Sequence, residues 1–127
     1  MAFWIFMFIM NLLIPIVMIL VGISFRKSAP KDINNIYGYR TKMSMKNRDT
    51  WEFAHRHCGK IWATVGLVIA PLSAIPLLFV LGKSKEVVGA TGSLICSIQV
   101  AILILSILPT ELALNKFFDK DGNKFED

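Results

Sequence analysis

Residues 55–58 bring together three side chains of types that bind metal ions, His55, His57 and Cys58. On a helix, His55 and Cys58 share a face because they are three residues apart. A zinc site takes four protein ligands, or three and a water molecule, and no acidic or thiol partner stands at a suitable spacing nearby. We therefore expect no metal here and interpret the segment as part of a helix at the membrane surface.

The other patterns with a chemical meaning are incomplete. The tail 119–123 resembles half of a calcium loop, but Gly122 occupies the fourth position where the sixth is required. The sequence contains no phosphate-binding glycine loop, no metalloprotease helix and no nucleophile beside a base at a catalytic spacing. We predict that the chain is not an enzyme and uses no cofactor.

The stretch 35–41, N-I-Y-G-Y-R-T, combines aromatic rings with a permanent cation. One interpretation is an anchor in the lipid headgroups, with Tyr37 and Tyr39 at the interface. The other is a binding site in which the guanidinium of Arg40 binds a phosphate or a carboxylate group. The candidate binding residues are Asn35, Gly38, Tyr39, Arg40, Thr41, Ser44, Asn47 and Trp51.

Three long segments without charged side chains flank these residues or follow them, and we refer to them as the charge-free blocks. Hydrophobic residues make up 54% of the 127, and positions 1–25, 61–82 and 87–110 contain no charged side chain. About 20 helical residues cross a bilayer core of roughly 30 Å, so each block is long enough. The sequence predicts an all-α integral membrane protein with one membrane domain, 1–127. Its parts are three transmembrane helices at about 3–25, 48–81 and 87–108, a loop 26–47 and a tail 109–127.

Basic residues between the blocks predict the orientation. Segment 26–60 holds nine Lys and Arg, the tail holds three Lys, and the short turn at 83–86 holds two. Because basic loops stay in the cytoplasm, we expect the loop and the tail inside and the N-terminus outside. The net charge of +5 then suits anionic lipid headgroups as a partner, and no direct binding of nucleic acid is expected.

An amphipathic pattern precedes the second block. Asn47 or Asp49 is suited to cap a helix, and Trp51, His55 and Cys58 follow at helical spacing. We predict an amphipathic cytoplasmic helix that leads into the second transmembrane helix. Cys58 and Cys96 are too few and too far apart for a disulfide framework, so both are expected to be free thiols.

Rows of small residues at four-residue spacing predict how the helices pack, since such rows allow close approach in lipid. We expect the second and third helices to form a tight hairpin, with the first helix packed against it. Alternatively, the row on the third helix forms the interface of a homodimer. The rows are Gly66, Ala70 and Ala74, and Gly89, Ser93, Ser97 and Ala101.

Two polar residues, Asn11 and Gln99, fall near the middle of their helices. Polar groups at this depth are costly, so they indicate either an interhelical hydrogen bond or the lining of a substrate path. The three blocks contain no ionisable side chain except cysteine, which argues against an ion-coupled transporter.

A longer pattern surrounds the loop. N-x-x-Y-G-Y-R-T is followed by S-x-x-N-x-x-x-W-x-x-A and by Gly59 before an apolar block. This pattern resembles the SdpI family of bacterial membrane proteins, at Asn34 or Asn35 and then at Gly38, Tyr39, Arg40, Thr41, Ser44, Asn47, Trp51, Ala54 and Gly59.

The resemblance implies a multi-pass protein of the bacterial inner membrane that confers immunity to a membrane-active peptide toxin, as in bacteriocin resistance. Arg40 would then bind an anion and Trp51 would seat the amphipathic helix. The alternatives are a signalling scaffold that recruits a cytosolic transcriptional repressor, and an accessory subunit of an envelope complex. They differ in the expected partner: a peptide toxin, a soluble regulator or a larger membrane assembly.

Overall fold

The computed structural model describes residues 1–34 and 36–125, and its regular structure is helical. Three stretches, Ala2–Lys27, Arg48–Phe79 and Lys85–Phe117, are long and apolar enough to cross a membrane. The predicted all-α fold with three membrane-spanning helices is therefore confirmed. The described helices are α1 (Ala2–Lys27), α2 (Arg48–Phe79), α3 (Lys85–Leu105) and α4 (Ile107–Phe117).

The start of α2 is fixed by a capping box. The side-chain oxygen of Asn47 accepts a hydrogen bond from the backbone N–H of Thr50 at 2.9 Å, and the Thr50 hydroxyl accepts one from the backbone N–H of Asn47 at 3.1 Å. This reciprocal pair satisfies two amide groups that have no partner within the helix. From there α2 runs without a break into its apolar part, so the amphipathic segment and the second transmembrane helix are one helix.

The third stretch is interrupted earlier than the sequence predicts. α3 ends at Leu105 instead of 108, and α4 begins at Ile107 within what was expected to be the end of the third helix and the start of the tail. Pro109 has no N–H for the carbonyl of Leu105 and its ring crowds that carbonyl, whereas proline is tolerated in a first helical turn. The indole N–H of Trp62 in α2 donates to the Ser106 hydroxyl at 2.8 Å and holds the junction in place.

The predicted tight hairpin of the second and third helices is wrong, because α2 packs far more extensively on α1 than on α3. A Cβ atom added to Gly22 would lie 2.5 Å from the backbone nitrogen of Ala63, and one added to Gly66 would lie 2.9 Å from the carbonyl oxygen of Pro15. The two backbones are therefore in direct contact. At the other end of this antiparallel pair, the indole N–H of Trp4 donates to the Leu77 carbonyl at 2.7 Å.

Beyond Gly89, which lies near the Phe3 ring of α1, the small-residue row on α3 faces away from the other helices in the described structure. Ser93, Ser97 and Ala101 are exposed, and α3 instead buries the face that carries Val88, Gly92 and Gln99. Small residues permit close packing but do not select a neighbour. A homodimer formed by this row stays a prediction.

Candidate functional site

The loop between α1 and α2 folds back over the first turns of α2, and a glycine makes this possible. Gly38 has a φ of +122°, a conformation that residues with a Cβ rarely adopt. A Cβ at Gly38 would also lie 2.7 Å from Nε2 of His55 and 3.1 Å from the Trp51 ring. The next residue, Tyr39, can therefore enter the space between α2 and α4.

His55 is fully buried and both of its ring nitrogens are occupied. Nδ1 lies 2.8 Å from the carbonyl oxygen of Trp51, and Nε2 accepts the backbone N–H of Tyr39 at 2.8 Å. Since a carbonyl can only accept, Nδ1 carries the proton and the ring is neutral. His55 is thus a structural link between the loop and α2.

The other two residues of the His55–Cys58 segment, for which no metal was expected, also have structural contacts. Nδ1 of His57 lies 3.0 Å from the hydroxyl of Thr110 in α4, and Cys58 is a buried free thiol. Among residues 1–34 and 36–125, no group of three His, Cys, Asp or Glu side chains is placed to hold a metal ion. Cys96 is also a free thiol, exposed on α3.

Tyr39 connects the loop to α4. Its hydroxyl donates to a carboxylate oxygen of Glu111 at 2.9 Å and lies 3.3 Å from the carbonyl oxygen of Ile107. Burial, and then the Glu111 carboxylate, raise the pKa of Tyr39 well above its usual range. The hydroxyl therefore remains a hydrogen-bond donor over the physiological pH range.

A short turn joins Tyr39 to the start of α2. The Ser44 hydroxyl contacts the carbonyl of Tyr39 at 3.0 Å and accepts the N–H of Thr41 at 2.8 Å. The Thr50 hydroxyl donates to the carbonyl of Ser44 at 3.1 Å. In addition to its capping role, the Asn47 side chain donates to the carbonyl of Gly122 at 2.6 Å and holds the tail against α2.

Trp51 lies at the centre of these contacts and is completely buried. Its indole N–H donates to the carbonyl of Pro30 at 2.9 Å, and its ring centroid lies 4.3 Å from that of His55. Together these residues bind the loop, α2 and α4 into one unit. We call this unit the motif layer, and it consists of Gly38, Tyr39, Thr41, Ser44, Asn47, Thr50, Trp51, His55 and Glu111.

The structure separates Arg40 from its neighbours in the sequence. Tyr39, Ser44 and Trp51 are buried, Gly38, Thr41 and Asn47 are partly buried, and the Arg40 side chain is exposed. Asn35, the remaining predicted site residue of the loop, lies outside the described residues. Among the predicted site residues that the structure describes, Arg40 is the one with an exposed side chain.

The two polar residues within the membrane come together at one depth. Nε2 of Gln99 donates to the backbone carbonyl of Asn11 at 2.7 Å and to the hydroxyl of Ser73 at 2.7 Å, so one side chain connects α1, α2 and α3. The Asn11 side chain donates to the carbonyl of Met7. Within the described residues, Oδ1 of Asn11 and Oε1 of Gln99 are buried without a partner.

A groove of about 340 Å³ lies beside Gln99, between α2 and α3. Its walls are apolar, and its polar side chains are Ser73, Thr91 and Gln99. The groove lies where α2 and α3 are less closely packed than α1 and α2, and several of its lining residues, such as Leu72, Leu94 and Ile98, are exposed. We call it the membrane groove; its lining includes Ile69, Leu72, Ser73, Leu94, Ile98 and Gln99.

Three members of the motif layer are absent from the predicted site. The helical spacing of Trp51 and His55 predicts that both lie on one face of the helix, but it does not indicate that His55 bonds to the loop. Thr50 had a local signal, since N-x-x-T allows a capping box. Glu111 had no signal, because it follows Tyr39 by 72 residues and meets it only in the folded chain.

The comparisons with known proteins cover the same part of the chain. Residues 31–110, more than half of the sequence, match the SdpI/YfhL protein family. This chain belongs to the SdpI/YfhL family. The resemblance inferred from the motif is confirmed, and the protein is a multi-pass membrane protein of bacteria. The SdpI/YfhL match includes the loop, α2, α3 and the first residues of α4, whereas α1 lies outside it.

One relative has a similar sequence over part of its length. A protein of Bacillus subtilis (strain 168) named Uncharacterized protein YfhL is 40% identical over 58 residues, which are 46% of this chain and 53% of that protein. The chain therefore spans about half the length of this relative. No solved structure matches the chain.

Proposed function

We propose that this SdpI/YfhL protein confers immunity to a membrane-active peptide toxin. The observation that carries the proposal is the membrane groove, an apolar concavity with a polar floor within the bilayer-spanning part of the bundle. A peptide that acts on membranes carries an apolar face that enters the bilayer, and this face would contact the protein at the groove. Side chains of such a peptide would enter the groove, and its polar groups would approach Ser73 and Gln99.

In this proposal the motif layer supports the groove from one end of the bundle. Tyr39 ties the loop to α4, and His57 and Trp62 of α2 bond to Thr110 and Ser106 near the α3–α4 junction. These contacts fix the position of α3 beside α2, although the two helices share little packed surface. Arg40 would add an exposed cation for a phosphate or carboxylate group.

The charge distribution supports the orientation given by the sequence. The motif layer and α4 lie at the end of the bundle that carries twelve of the fourteen Lys and Arg. With this end in the cytoplasm, the turn between α2 and α3 would face outside, where a toxin arrives.

Arg40→Ala is expected to remove protection and leave the amount of protein in the membrane unchanged, because the side chain is exposed. A toxin-sensitive bacterium expressing either form would be exposed to a dose series of a killing peptide. The tolerated dose should fall about tenfold or more, since charge-assisted hydrogen bonds are among the stronger polar contacts. Arg40→Lys should restore little, because lysine cannot form two parallel bonds. Unchanged survival with Arg40→Ala would exclude a role for this residue.

A second prediction concerns the membrane groove. Leu94→Trp would place a large ring in the groove from its α3 wall, and we expect the tolerated dose to fall about tenfold with normal membrane levels. Leu67→Trp is the matched control, since Leu94 and Leu67 have nearly equal exposure, 63% and 62%, and Leu67 does not line the groove. Equal protection by both variants would place the toxin elsewhere. If the inserted wild-type protein gives no protection, immunity is wrong and recruitment of a cytosolic repressor becomes the function to test.

A further inference from the structure

A second cavity, of about 500 Å³, lies at the polar end of the bundle between α2 and the chain after α4. We call it the tail cleft. The tail is held over α2 by the bond from Asn47 to the Gly122 carbonyl and by the Phe125 N–H, which donates to the Phe117 carbonyl at 3.0 Å. The lining of the tail cleft includes Asp49, Glu52, Arg56, Lys60, Phe118 and Lys124.

Charge in the tail cleft changes sign along α2. Asp49 and Glu52 lie in the first turns, and Arg56 and Lys60 lie in the next two. At a rise of 1.5 Å per residue, Glu52 and Lys60 are separated by about 12 Å along the helix axis. Glu52 also accepts a hydrogen bond from Arg48 at 3.0 Å, which keeps its carboxylate in position beside the cleft.

The basic end of the tail cleft is next to the membrane-spanning part. Lys60 directly precedes the apolar block that begins at Ile61, and the same face of α2 continues with the exposed residues Thr64, Leu67 and Val68. A phosphate bound by Arg56 and Lys60 would therefore lie at the level of the bilayer surface. Hydrocarbon chains attached to it would run along this exposed face.

We propose that the tail cleft binds the headgroup of an ethanolamine phospholipid. Arg56, Lys60 and Lys124 hold the phosphodiester, and the ammonium group, a few ångströms farther from the bilayer, is held by Glu52 and Asp49. The buried ring of Phe118 forms the apolar floor. A glycerol headgroup supplies no cation for the two carboxylates, and a choline headgroup has no N–H to donate, so ethanolamine fits the cleft best.

The test uses the full chain purified in detergent. Native mass spectrometry would measure the retention of phospholipids with identical acyl chains and ethanolamine, choline or glycerol headgroups. Ethanolamine lipid should bind about tenfold more tightly than the other two, as expected for charge-assisted contacts at both ends. K60Q combined with K124Q should weaken the binding of all three lipids, because the phosphodiester that these lysines hold is common to them. D49N combined with E52Q should shift the preference to the glycerol lipid, because the carboxylates that repel an anionic headgroup are gone.

Matched controls separate the tail cleft from a general attraction of basic residues for lipid. K42Q combined with K46Q removes two lysines that line a different cavity, beside Glu111, and ethanolamine binding should not change. Equal binding of all three headgroups, or the same loss in both lysine pairs, would overturn the proposal. Displacement of the lipid by soluble phosphoethanolamine at equal concentration would identify a free phosphate ester as the ligand and would exclude the lipid.

Discussion

Gly59→Ala is expected to lower the free energy of unfolding by about 3 kcal/mol, the upper end of the usual range for overpacking. A Cβ atom at Gly59 would lie 2.6 Å from the carbonyl oxygen of Gly22 and would also contact the backbone nitrogen of Arg26. Both obstacles are backbone atoms, which no side-chain rotation can move. α1 would have to separate from α2. Unfolding in mixed micelles, followed by circular dichroism, measures the change.

Gly89→Ala is the matched control for this prediction. Gly89 also lies in a membrane-spanning helix, but a Cβ added there would be 3.6 Å from the Phe3 ring, an ordinary contact distance. We expect a change within about 0.5 kcal/mol, typical of substitutions without strain. If the two variants are equally stable, the close crossing of α1 and α2 does not govern the stability of the bundle.

Trp51→Ala is expected to lower the free energy of unfolding by about 3–5 kcal/mol, as for other fully buried large side chains. The change would leave a cavity between the loop and α2 and would remove the donor to the Pro30 carbonyl. His55 would lose its ring contact, so the Tyr39 loop should also loosen. Limited proteolysis in detergent should then cleave the 28–47 segment faster than in the wild type.

Two further variants identify the source of this effect. Trp51→Phe keeps one buried aromatic ring and removes the indole N–H with part of the ring volume, so it should cost clearly less than Trp51→Ala if packing dominates. Phe79→Ala truncates an aromatic residue of α2 that is 79% exposed and should leave proteolysis of the loop unchanged. Rapid cleavage in Phe79→Ala would show that the loop responds to any loss of aromatic surface.

The parts of the fold that were predictable depend on local chemistry. The three spans follow from the lengths of the charge-free blocks. The start of α2 follows from Asn47, a strong capping residue placed before a helical pattern. Gly38 in the loop and Trp51 in the amphipathic helical pattern belong to one short sequence motif, which identifies both as site residues. These features are determined by residues close together in sequence.

The parts that were not predictable depend on contacts between distant segments. Small residues occur at helical spacing in both α2 and α3, and only the fold shows that Gly59 and Gly66 are used against α1 while Ser93 and Ser97 face outward. The Tyr39–Glu111 bond could not be foreseen because the charge of Glu111 gives no indication of its partner. The break at Ser106 results from the effect of Pro109 on the preceding helical turn.

The contact between α1 and α2 has a consequence for biosynthesis. Gly22, Gly59 and Gly66 all lie in the first 66 residues. The residues that join α1 to α2 are therefore synthesised before α3 leaves the ribosome. Chains generally assemble from the N-terminal side as they are made. The bonds from Gln99 to Asn11 and Ser73 then form after the pair is in place. In a chain that inserts α1 and α2 incorrectly, Gln99 would have no partners in the bilayer. Such a chain is less stable than a correctly assembled one, because an unpaired polar group is costly in lipid.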